Sequence, residues 1–193
     1  MPRPEPIGRI TFEEYLALEA RSRVRHEFVD GTIFAMAGGT DHHNVIAGNI
    51  FAAARAAARG TGCTAFIENM MLQVPDGATY YPDVFVTCEE PNDGSRYKRF
   101  ACFIVEVLSE STSDVDRGEK LHHYRKIPTL KAYVLVSQNQ KLVEVYRRLE
   151  DQTWRYEVLE GTGELELPCL GLKLNLEEIY ADVGASDNRF LEP

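Results

Sequence analysis

The segment Cys102-Phe103-Ile104-Val105-Glu106-Val107-Leu108 is almost continuously apolar, and it constrains the fold more than any other part of the chain. Such a strand belongs in the middle of a sheet that is covered on both faces, because a half-exposed strand alternates polar and apolar residues. A predicted helix over 113–126 follows, stopped by Pro128, and then an apolar strand over 132–136. This strand, helix, strand order predicts an α/β fold.

The rest of the chain also predicts alternating helices and strands. Thr11 and Glu14 form the sequence signature of a helix N-terminus. Asp30-Gly31 lies between two short apolar runs and predicts a hairpin. Further elements are a helix over 41–59, strands over 64–67, 71–74 and 83–87, a hairpin over 141–148 and 154–159, a strand over 165–174 and a short helix over 176–180.

The chain has 193 residues, which predicts a single domain over 1–193, with 1–8 and 185–193 as flexible tails. With 44% hydrophobic and 26% charged residues it resembles a globular protein, and no apolar run reaches the ~18 residues of a membrane span. The first residues lack the apolar core of a secretory signal, so we expect a cytoplasmic location and no membrane partner. The four cysteines, which form no CxxC pair, are then expected to be buried reduced thiols.

Charge is unevenly distributed along the chain. The net charge of −9 argues against the basic surface that most nucleic-acid-binding proteins carry. The stretch 94–131 nevertheless has eight basic and five acidic residues and is locally positive. This is compatible with a phosphate contact in that stretch, and a solvated charged face explains it equally well.

Two acids occupy strand positions that seldom hold them. Asp83 follows Pro82 at the start of an apolar run, and Glu106 lies inside the apolar strand over 102–108. If these strands are neighbours, the two carboxylates make a site for a hard divalent cation, to which the carbonyl of Val107 adds a third oxygen. Lys120, on the following helix, could hold a phosphate or a water beside it.

These residues resemble the signature of PD-(D/E)XK nucleases and, more specifically, the Uma family of bacterial restriction endonucleases. The resemblance covers most of the chain, from the helix at Tyr15-Leu16 to the end of the predicted strands. Its motifs are Glu27-Phe28-Val29-Asp30-Gly31, His43 with Gly48, Pro82-Asp83-Val84, Val105-Glu106-Val107-Leu108-Ser109-Glu110-Ser111-Thr112, Asp116-Arg117-Gly118-Glu119-Lys120-Leu121 with Tyr124, Tyr133-Val134-Leu135-Val136, and Leu167-Pro168-Cys169-Leu170-Gly171-Leu172.

The resemblance implies a restriction-endonuclease-like core, in which a mixed β-sheet is flanked by helices and preceded by an N-terminal helix and β-hairpin. It also implies an endonuclease that depends on Mg²⁺ or Mn²⁺ and hydrolyses DNA. Asp83, Glu106, Lys120 and Glu27 would be catalytic, and Asp83, Glu106 and Val107 would bind the metal. The substrate contacts expected from the same motifs are His43, Ser109, Arg117 and Tyr124.

One position departs from the superfamily pattern. Leu108 stands where the strand lysine is usual, so the role of that lysine passes to Lys120 on the helix. A lysine on another element serves only if the packing returns its ammonium to the same point. A second function therefore stays open, in which the chain is a catalytically weak or inactive nuclease-fold module that binds nucleic acid or protein.

Each site residue also has a plain structural interpretation. Asp83 could face solvent at a strand start, Glu106 could pair with an arginine, and Lys120 could form only an ion pair with Asp116 one helical turn earlier. Adjacent His42 and His43 point apart, so capping or packing explains them better than zinc.

The serine and threonine side chains that follow the apolar strand have an equally plain interpretation. Ser109, Ser111 and Thr112 lack a nearby base that could activate a hydroxyl nucleophile, so they suit capping or polar contacts. A homodimer is expected because cutting both strands of DNA needs two sites.

Overall fold

The computed structural model describes residues 8–36, 38–89, 93–110 and 112–184. Apart from Gly8, the tails expected over 1–8 and 185–193 lie outside these residues, and so does Ser111. Within the described ranges, no helix has the length and apolar character needed to cross a membrane.

A six-stranded mixed sheet forms the centre of the molecule. Its strand order is β11-β10-β9-β8-β6-β3. The strands β8 and β9 are parallel, and every other neighbouring pair is antiparallel. The bounds are β3 Thr64–Ile67, β6 Val84–Thr87, β8 Phe103–Leu108, β9 Ala132–Ser137, β10 Leu142–Arg148 and β11 Trp154–Glu160. All residues of β8 are buried, so the prediction of a central strand covered on both faces is confirmed.

A second sheet of five strands, in the order β2-β1-β5-β4-β7, lies beside the cavity described below. Its bounds are β1 His26–Val29, β2 Thr32–Ala35, β4 Met71–Gln73, β5 Thr79–Tyr80 and β7 Tyr97–Lys98. Strands β1 and β2 form the predicted hairpin, and Asp30 and Gly31 at its turn both have positive φ, of 50° and 80°. This backbone geometry is typical of the tight turns that Asp-Gly favours.

The region over 165–174 was expected to be one strand, and that expectation is wrong. The structure has two antiparallel strands there, β12 Glu164–Leu167 and β13 Leu172–Asn175. The chain reverses between them at Cys169 and Gly171, whose φ angles of 74° and 60° are incompatible with a continuous strand.

The helices are α1 Phe12–Glu19, α2 Asp41–Ala58, α3 Ser113–Val115, α4 Leu121–Tyr124 and α5 Leu176–Ile179. Thr11 and Glu14 form the expected capping box of α1. The apolar face of α2 buries Ile46, Ala47 and Ile50 in the core formed with the six-stranded sheet. The helix predicted over 113–126 is present from Ser113 to Tyr124, and between α3 and α4 it contains a π-helical turn, Asp116–Lys120.

The four cysteines are paired, which contradicts the prediction of reduced thiols. Cys63 is bonded to Cys88, and the sulfur atoms of Cys102 and Cys169 are in contact. The first pair follows from the register of β3 and β6: Thr64 is opposite Thr87, so the next residues outward face each other. Neither partner lies near the other in sequence, which is why spacing alone does not reveal the pairing.

Candidate functional site

Asp83 and Glu106 lie directly across from each other on neighbouring strands. In the antiparallel pair β6 and β8, Val84 is opposite Val105, so the next pair outward is Asp83 and Glu106. The main-chain N–H of Asp83 donates to Glu106 Oε2 (3.3 Å), and the N–H of Val107 donates to Asp83 Oδ2 (2.7 Å). Two facing carboxylates repel each other, so this cross-strand pair needs a nearby positive charge.

Lys120 supplies a positive charge beside these acids. Its side chain is buried, and Nζ lies 3.1 Å from Glu106 Oε1, 3.1 Å from Glu27 Oε1 and 2.9 Å from Asp116 Oδ1. The predicted approach of the helical lysine to the strand acids is therefore seen in the geometry. Glu27 reaches the lysine from β1, so both larger sheets contribute to one cluster.

The π-helical turn places Asp116 and Lys120 against the strands. Both residues are buried, although the turn lies near the end of the sheet. The hydroxyl of Tyr133, on β9, donates to the main-chain carbonyl of Asp116 over 3.0 Å. A π turn is wider than an α-helical turn and is often found at functional sites. Here the hydrogen bond from Tyr133 ties the start of the turn to the central sheet.

Tyr124 contacts the carboxylate of Glu106 from the protein core. Its hydroxyl donates to Glu106 Oε1 over 2.9 Å, and its side chain is fully buried. Burial and the nearby charge of Glu106 raise the pKa of Tyr124 well above its usual value, which keeps the phenol protonated as a donor. The structure shows Tyr124 in contact with Glu106 and buried, and its contact with substrate stays a prediction.

His43, in the first turn of α2, reaches Asp83 from the other side. Its Nε2 lies 3.1 Å from Asp83 Oδ1, and Thr40 caps the helix by accepting from the main-chain N–H of His43. A Cβ at Gly39 would lie 2.9 Å from the imidazole, so this glycine leaves room for the ring. Burial lowers the pKa of His43, but the hydrogen bond and charge of Asp83 outweigh burial and raise it overall.

A cavity of about 140 Å³ opens onto this cluster. Since a water molecule takes up about 30 Å³ in the liquid, several waters or a phosphate group fit inside it. Ser109 also lines the cavity and exchanges a hydrogen bond with Thr112 (2.9 Å between the oxygens). The cluster residues that line the cavity are Glu27, His43, Asp83, Glu106, Val107, Asp116 and Lys120.

Arg117, which was expected to contact substrate, lies apart from the cavity. Its guanidinium pairs with Glu144 on β10, with Nη2 2.5 Å and Nε 3.1 Å from Oε1. Neighbouring residues of a helix point in different directions, so Arg117 cannot share the inward face of Asp116. The structure therefore does not bring Arg117 to the cavity, and its contact with substrate stays a prediction.

The cluster is rich in acids and poor in cations. Burial raises the pKa of Glu106 well above its usual value; Lys120 opposes this, while the charges of Asp83, Asp116 and Glu27 add to it. Burial also lowers the pKa of Lys120, but the carboxylates of Asp116, Glu106 and Glu27 together raise it well above its usual value. Lys120 is thus a cation that the carboxylates of Glu27, Glu106 and Asp116 share.

The donor set suits a hard cation such as Mg²⁺. Mg²⁺ usually takes only one or two carboxylates from a protein and completes its shell with water and substrate oxygens, as Asp83 and Glu106 would allow. Asp116 Oδ1 is buried, and although Lys120 Nζ is close, it accepts no hydrogen bond of acceptable geometry from the described residues. Across residues 8–36, 38–89, 93–110 and 112–184, no three His, Cys, Asp or Glu side chains form a ready ligand set, so oxygens from water and substrate are needed.

Two residues of the cluster were missed by sequence reasoning. Asp116 was considered only as an ion-pair partner of Lys120, and Tyr133 only as part of an apolar strand. The signal available for Asp116 was its place in the matched motif that contains Lys120. For Tyr133 the available signal was a hydroxyl inside a strand otherwise fully apolar, since a buried hydroxyl needs a partner.

Known proteins resemble the chain in sequence and in fold. The family model described as "Uma2: Putative restriction endonuclease" matches residues 12–177. The uncharacterized protein slr1290 of Synechocystis sp. PCC 6803 is 34% identical over 178 residues, which cover 91% of this chain and 93% of that protein. A second uncharacterized protein of that organism, sll1609, is 33% identical over 162 residues, which cover 81% of this chain and 92% of that protein.

A solved structure has the same fold. The crystal structure of "a putative nuclease belonging to DUF820" from Anabaena variabilis ATCC 29413 has a TM-score of 0.72 and 19% sequence identity, covering 89% of this chain and 97% of that chain. At this identity the likeness shows a shared fold. The expected core, a mixed sheet flanked by helices, is confirmed.

Proposed function

Since the chain belongs to the Uma2 family, whose model is described as "Putative restriction endonuclease", we propose that it is an endonuclease that uses Mg²⁺ or Mn²⁺ to hydrolyse DNA phosphodiester bonds. The observation that carries this proposal is the contact of Lys120 with Glu106, directly across the strand pair from Asp83. Two facing acids and a buried lysine at the mouth of a cavity form an arrangement suited to a metal and a phosphate.

In this proposal Asp83 and Glu106 hold the cation, and the carbonyl of Val107 gives a further oxygen. The N–H of Val107 faces Asp83, and in an extended strand the carbonyl of the same residue points to the same side, which supports that role. Glu27 organises the site by holding Lys120. When bound, the cation would activate water and stabilise negative charge on the phosphate.

The proposed role of Lys120 is to hold the phosphate. Its raised pKa keeps the side chain protonated, so it acts as a hydrogen-bond donor and a positive charge, and another group must take the proton of the attacking water. Glu106, which Lys120 and Tyr124 orient, and His43, which Asp83 orients, are the groups beside the cavity that can move a proton.

The experiment compares plasmid cleavage by the wild-type protein and by Glu106→Gln, each with Mg²⁺ or Mn²⁺. We expect cleavage that requires the metal and falls at least ~10²-fold in Glu106→Gln. Glu144→Gln is the matched control, because Glu144 is another buried glutamate and lies on β10 outside the cavity. Equal cleavage by wild type and Glu106→Gln would remove Glu106 from the mechanism.

The second function stands on one observation: Leu108 occupies the strand position where lysine is usual. A nuclease-fold module that binds nucleic acid or protein without cutting would tolerate that change. Calorimetric titration with Mg²⁺ and Mn²⁺ separates the two functions. Absence of metal binding by a folded protein would favour the binding module.

A homodimer in the cytoplasm completes the proposal, because cleavage of both strands of cellular DNA needs two sites. The measurement is the molar mass in solution by light scattering. A monomer at working concentration, combined with double-strand cleavage, would contradict the dimer.

A further inference from the structure

A polar groove continues outward from the cavity. Its inner part shares His43, Tyr81 and Asp83 with the cavity lining. Its outer part shares Arg25, Asn69 and Tyr81 with a second depression next to it. The surface is therefore continuous from Asp83 past Tyr81 to Arg25. We call it the arginine groove and define it by Arg23, Arg25, Asn44, Glu68, Asn69 and Arg96.

The arginine groove is positively charged in a protein whose net charge is −9. It contains three arginines and, beyond the cluster acids, only Glu68 and Glu19 among the acids that line its two parts. Glu19 is buried, and its oxygens already interact with His26 (2.7 Å) and the hydroxyl of Tyr81 (2.6 Å). Glu19 also lies 3.8 Å from Arg25, so these two charges offset each other. Outside the cluster, the accessible charges are then the guanidiniums of Arg23 and Arg96 against the carboxylate of Glu68, an excess of one positive charge.

Two of the arginines have no partner among the residues that the structure describes. Arg23 and Arg96 are exposed and form no ion pair or hydrogen bond with any of them. Arg25 is held in place: its Nη1 lies 3.4 Å from the Glu19 carbonyl, and its guanidinium lies 5.9 Å from the centre of the Tyr81 ring. The groove thus combines one fixed guanidinium with two whose donors remain available.

The position of Tyr81 links this charge to the candidate site. Tyr81 is two residues before Asp83 in an extended segment, so their Cα atoms are separated by about 7 Å. Arg25, packed on the Tyr81 ring, is therefore a near neighbour of the cluster. A polymer whose phosphate lies in the cavity would bring its next phosphates past Arg25 towards Arg23 and Arg96.

We infer that the arginine groove binds the phosphate backbone of a nucleic-acid strand on one side of the bond that is cut. The inference rests on the proposed function for the position of the cut bond. Guanidinium groups bind phosphate through two parallel hydrogen bonds, and the side chains of Asn44 and Asn69 add donors of the kind that contact phosphate and sugar. Contacts to the backbone carry no base sequence, so the groove sets the path of the strand.

The test measures binding of a fluorescent oligonucleotide by anisotropy, in EDTA so that no cleavage occurs, with single-stranded and duplex DNA. The test protein is the full chain with Arg23→Gln and Arg96→Gln. The matched control is Arg55→Gln with Arg59→Gln, an equal charge change at exposed arginines roughly 20 Å along α2 from His43.

We expect the groove variant to bind at least ~10-fold more weakly, and the slope of log affinity against log salt to become shallower by about 2, one unit for each lost phosphate contact. The control variant should stay within about twofold of wild type, because its arginines lie far from the groove. An equal loss in both variants, or no loss in the groove variant, would overturn the inference. Competition by inorganic phosphate as strong as that by the oligonucleotide, compared per phosphate, would also overturn it.

Failure of the inference and failure of the proposed function give different results. If the groove variant binds and cleaves like wild type while Glu106→Gln loses cleavage, only the inference fails. If no protein cleaves DNA but the groove variant alone loses binding, the nuclease proposal fails and the groove remains a nucleic-acid site.

Discussion

Two buried glutamates, Glu19 and Glu106, have opposite surroundings. Glu19, at the end of α1, interacts with His26, with the hydroxyl of Tyr81 and, at 3.8 Å, with Arg25. Glu19 is therefore one carboxylate surrounded by several hydrogen-bonding or positively charged groups. Glu106 also accepts hydrogen bonds from Lys120 and Tyr124, but its charged donor, Lys120, is shared with Glu27 and Asp116, and Asp83 adds a further negative charge.

The difference separates a buried acid whose contacts are complete from a buried acid that faces a cavity. The Glu19 cluster is complete without further groups, whereas the Glu106 cluster lines a cavity and has an excess of negative charge. Burial of like charges costs free energy that folding alone does not repay. A ligand that brings positive charge would therefore stabilise this cluster, as the proposed function requires.

The largest expected effect comes from removing Lys120. Lys120→Met leaves the buried acids without their cation, so we expect the free energy of unfolding to fall by about 3–5 kcal/mol and DNA cleavage to be lost. Denaturant unfolding measures the first change. Lys126→Met is the control, since Lys126 is partly exposed and pairs with Asp76 at the surface, where such pairs contribute about 0–1 kcal/mol. A Lys120→Met protein as stable as wild type would contradict the claim that Lys120 offsets the negative charge of the buried acids.

The next effect is stabilisation by the metal. Mg²⁺ at about 100 times its dissociation constant should raise the free energy of unfolding by about 2.7 kcal/mol, because it binds only the folded protein. Glu106→Gln should lose this gain, and Glu19→Gln should keep it. Thermal unfolding with and without Mg²⁺ measures the shift. If Glu106→Gln is stabilised as much as wild type, the cation binds elsewhere.

The same two glutamates should differ in what their neutralisation does to stability. Glu19→Gln should lower the free energy of unfolding by about 1–3 kcal/mol, because His26 and Tyr81 lose a charged acceptor. Glu106→Gln should change it by less than about 1 kcal/mol, since relief of repulsion offsets the weaker contact with Lys120. Urea unfolding in EDTA is the measurement. A larger loss of unfolding free energy in Glu106→Gln than in Glu19→Gln would contradict the contrast between the two glutamates.

The smallest effect concerns the π-helical turn that holds Lys120. Tyr133→Phe removes one buried hydrogen bond to the Asp116 carbonyl, and we expect a loss of about 1 kcal/mol in stability. If Tyr133 positions Lys120, kcat should also fall severalfold while KM stays constant. The control is Tyr156→Phe. Tyr156 lies on the edge strand β11, and its hydroxyl donates to Glu144 on β10, so its loss should leave both kinetic parameters unchanged. A KM effect alone would assign Tyr133 to substrate binding.

Much of the fold followed from local sequence patterns, because the elements concerned are stabilised by their own residues. The Asp30-Gly31 turn, the capped helix α1 and the apolar strand β8 are of this kind. Strands β5 and β7 were missed, because each has only two residues and exists through its partner strand. The turn between β12 and β13 was also missed, although Pro168 and Gly171 are residues that commonly interrupt a strand.

Some residues of the candidate site could likewise be predicted from the sequence, and others could not. Acids inside apolar strands, such as Asp83 and Glu106, stand out in a sequence, and the register then places them together. The outward direction of Arg117 and the inward direction of Asp116 depend on the phase of a helix that contains a π turn. The segment Asp116–Lys120 has the composition of an ordinary helix, so its phase could not be predicted.

The hydrogen bond from the Val107 amide to the Asp83 carboxylate has a further consequence. It takes the place of a main-chain hydrogen bond at the end of the paired strands β6 and β8, so the carboxylate proposed to bind the cation also connects these two strands. We therefore expect the pairing of β6 with β8 and the formation of the site to occur together, as one cooperative step of folding. Amide hydrogen exchange at Val107 would therefore report, from a single backbone position, how often the site comes apart.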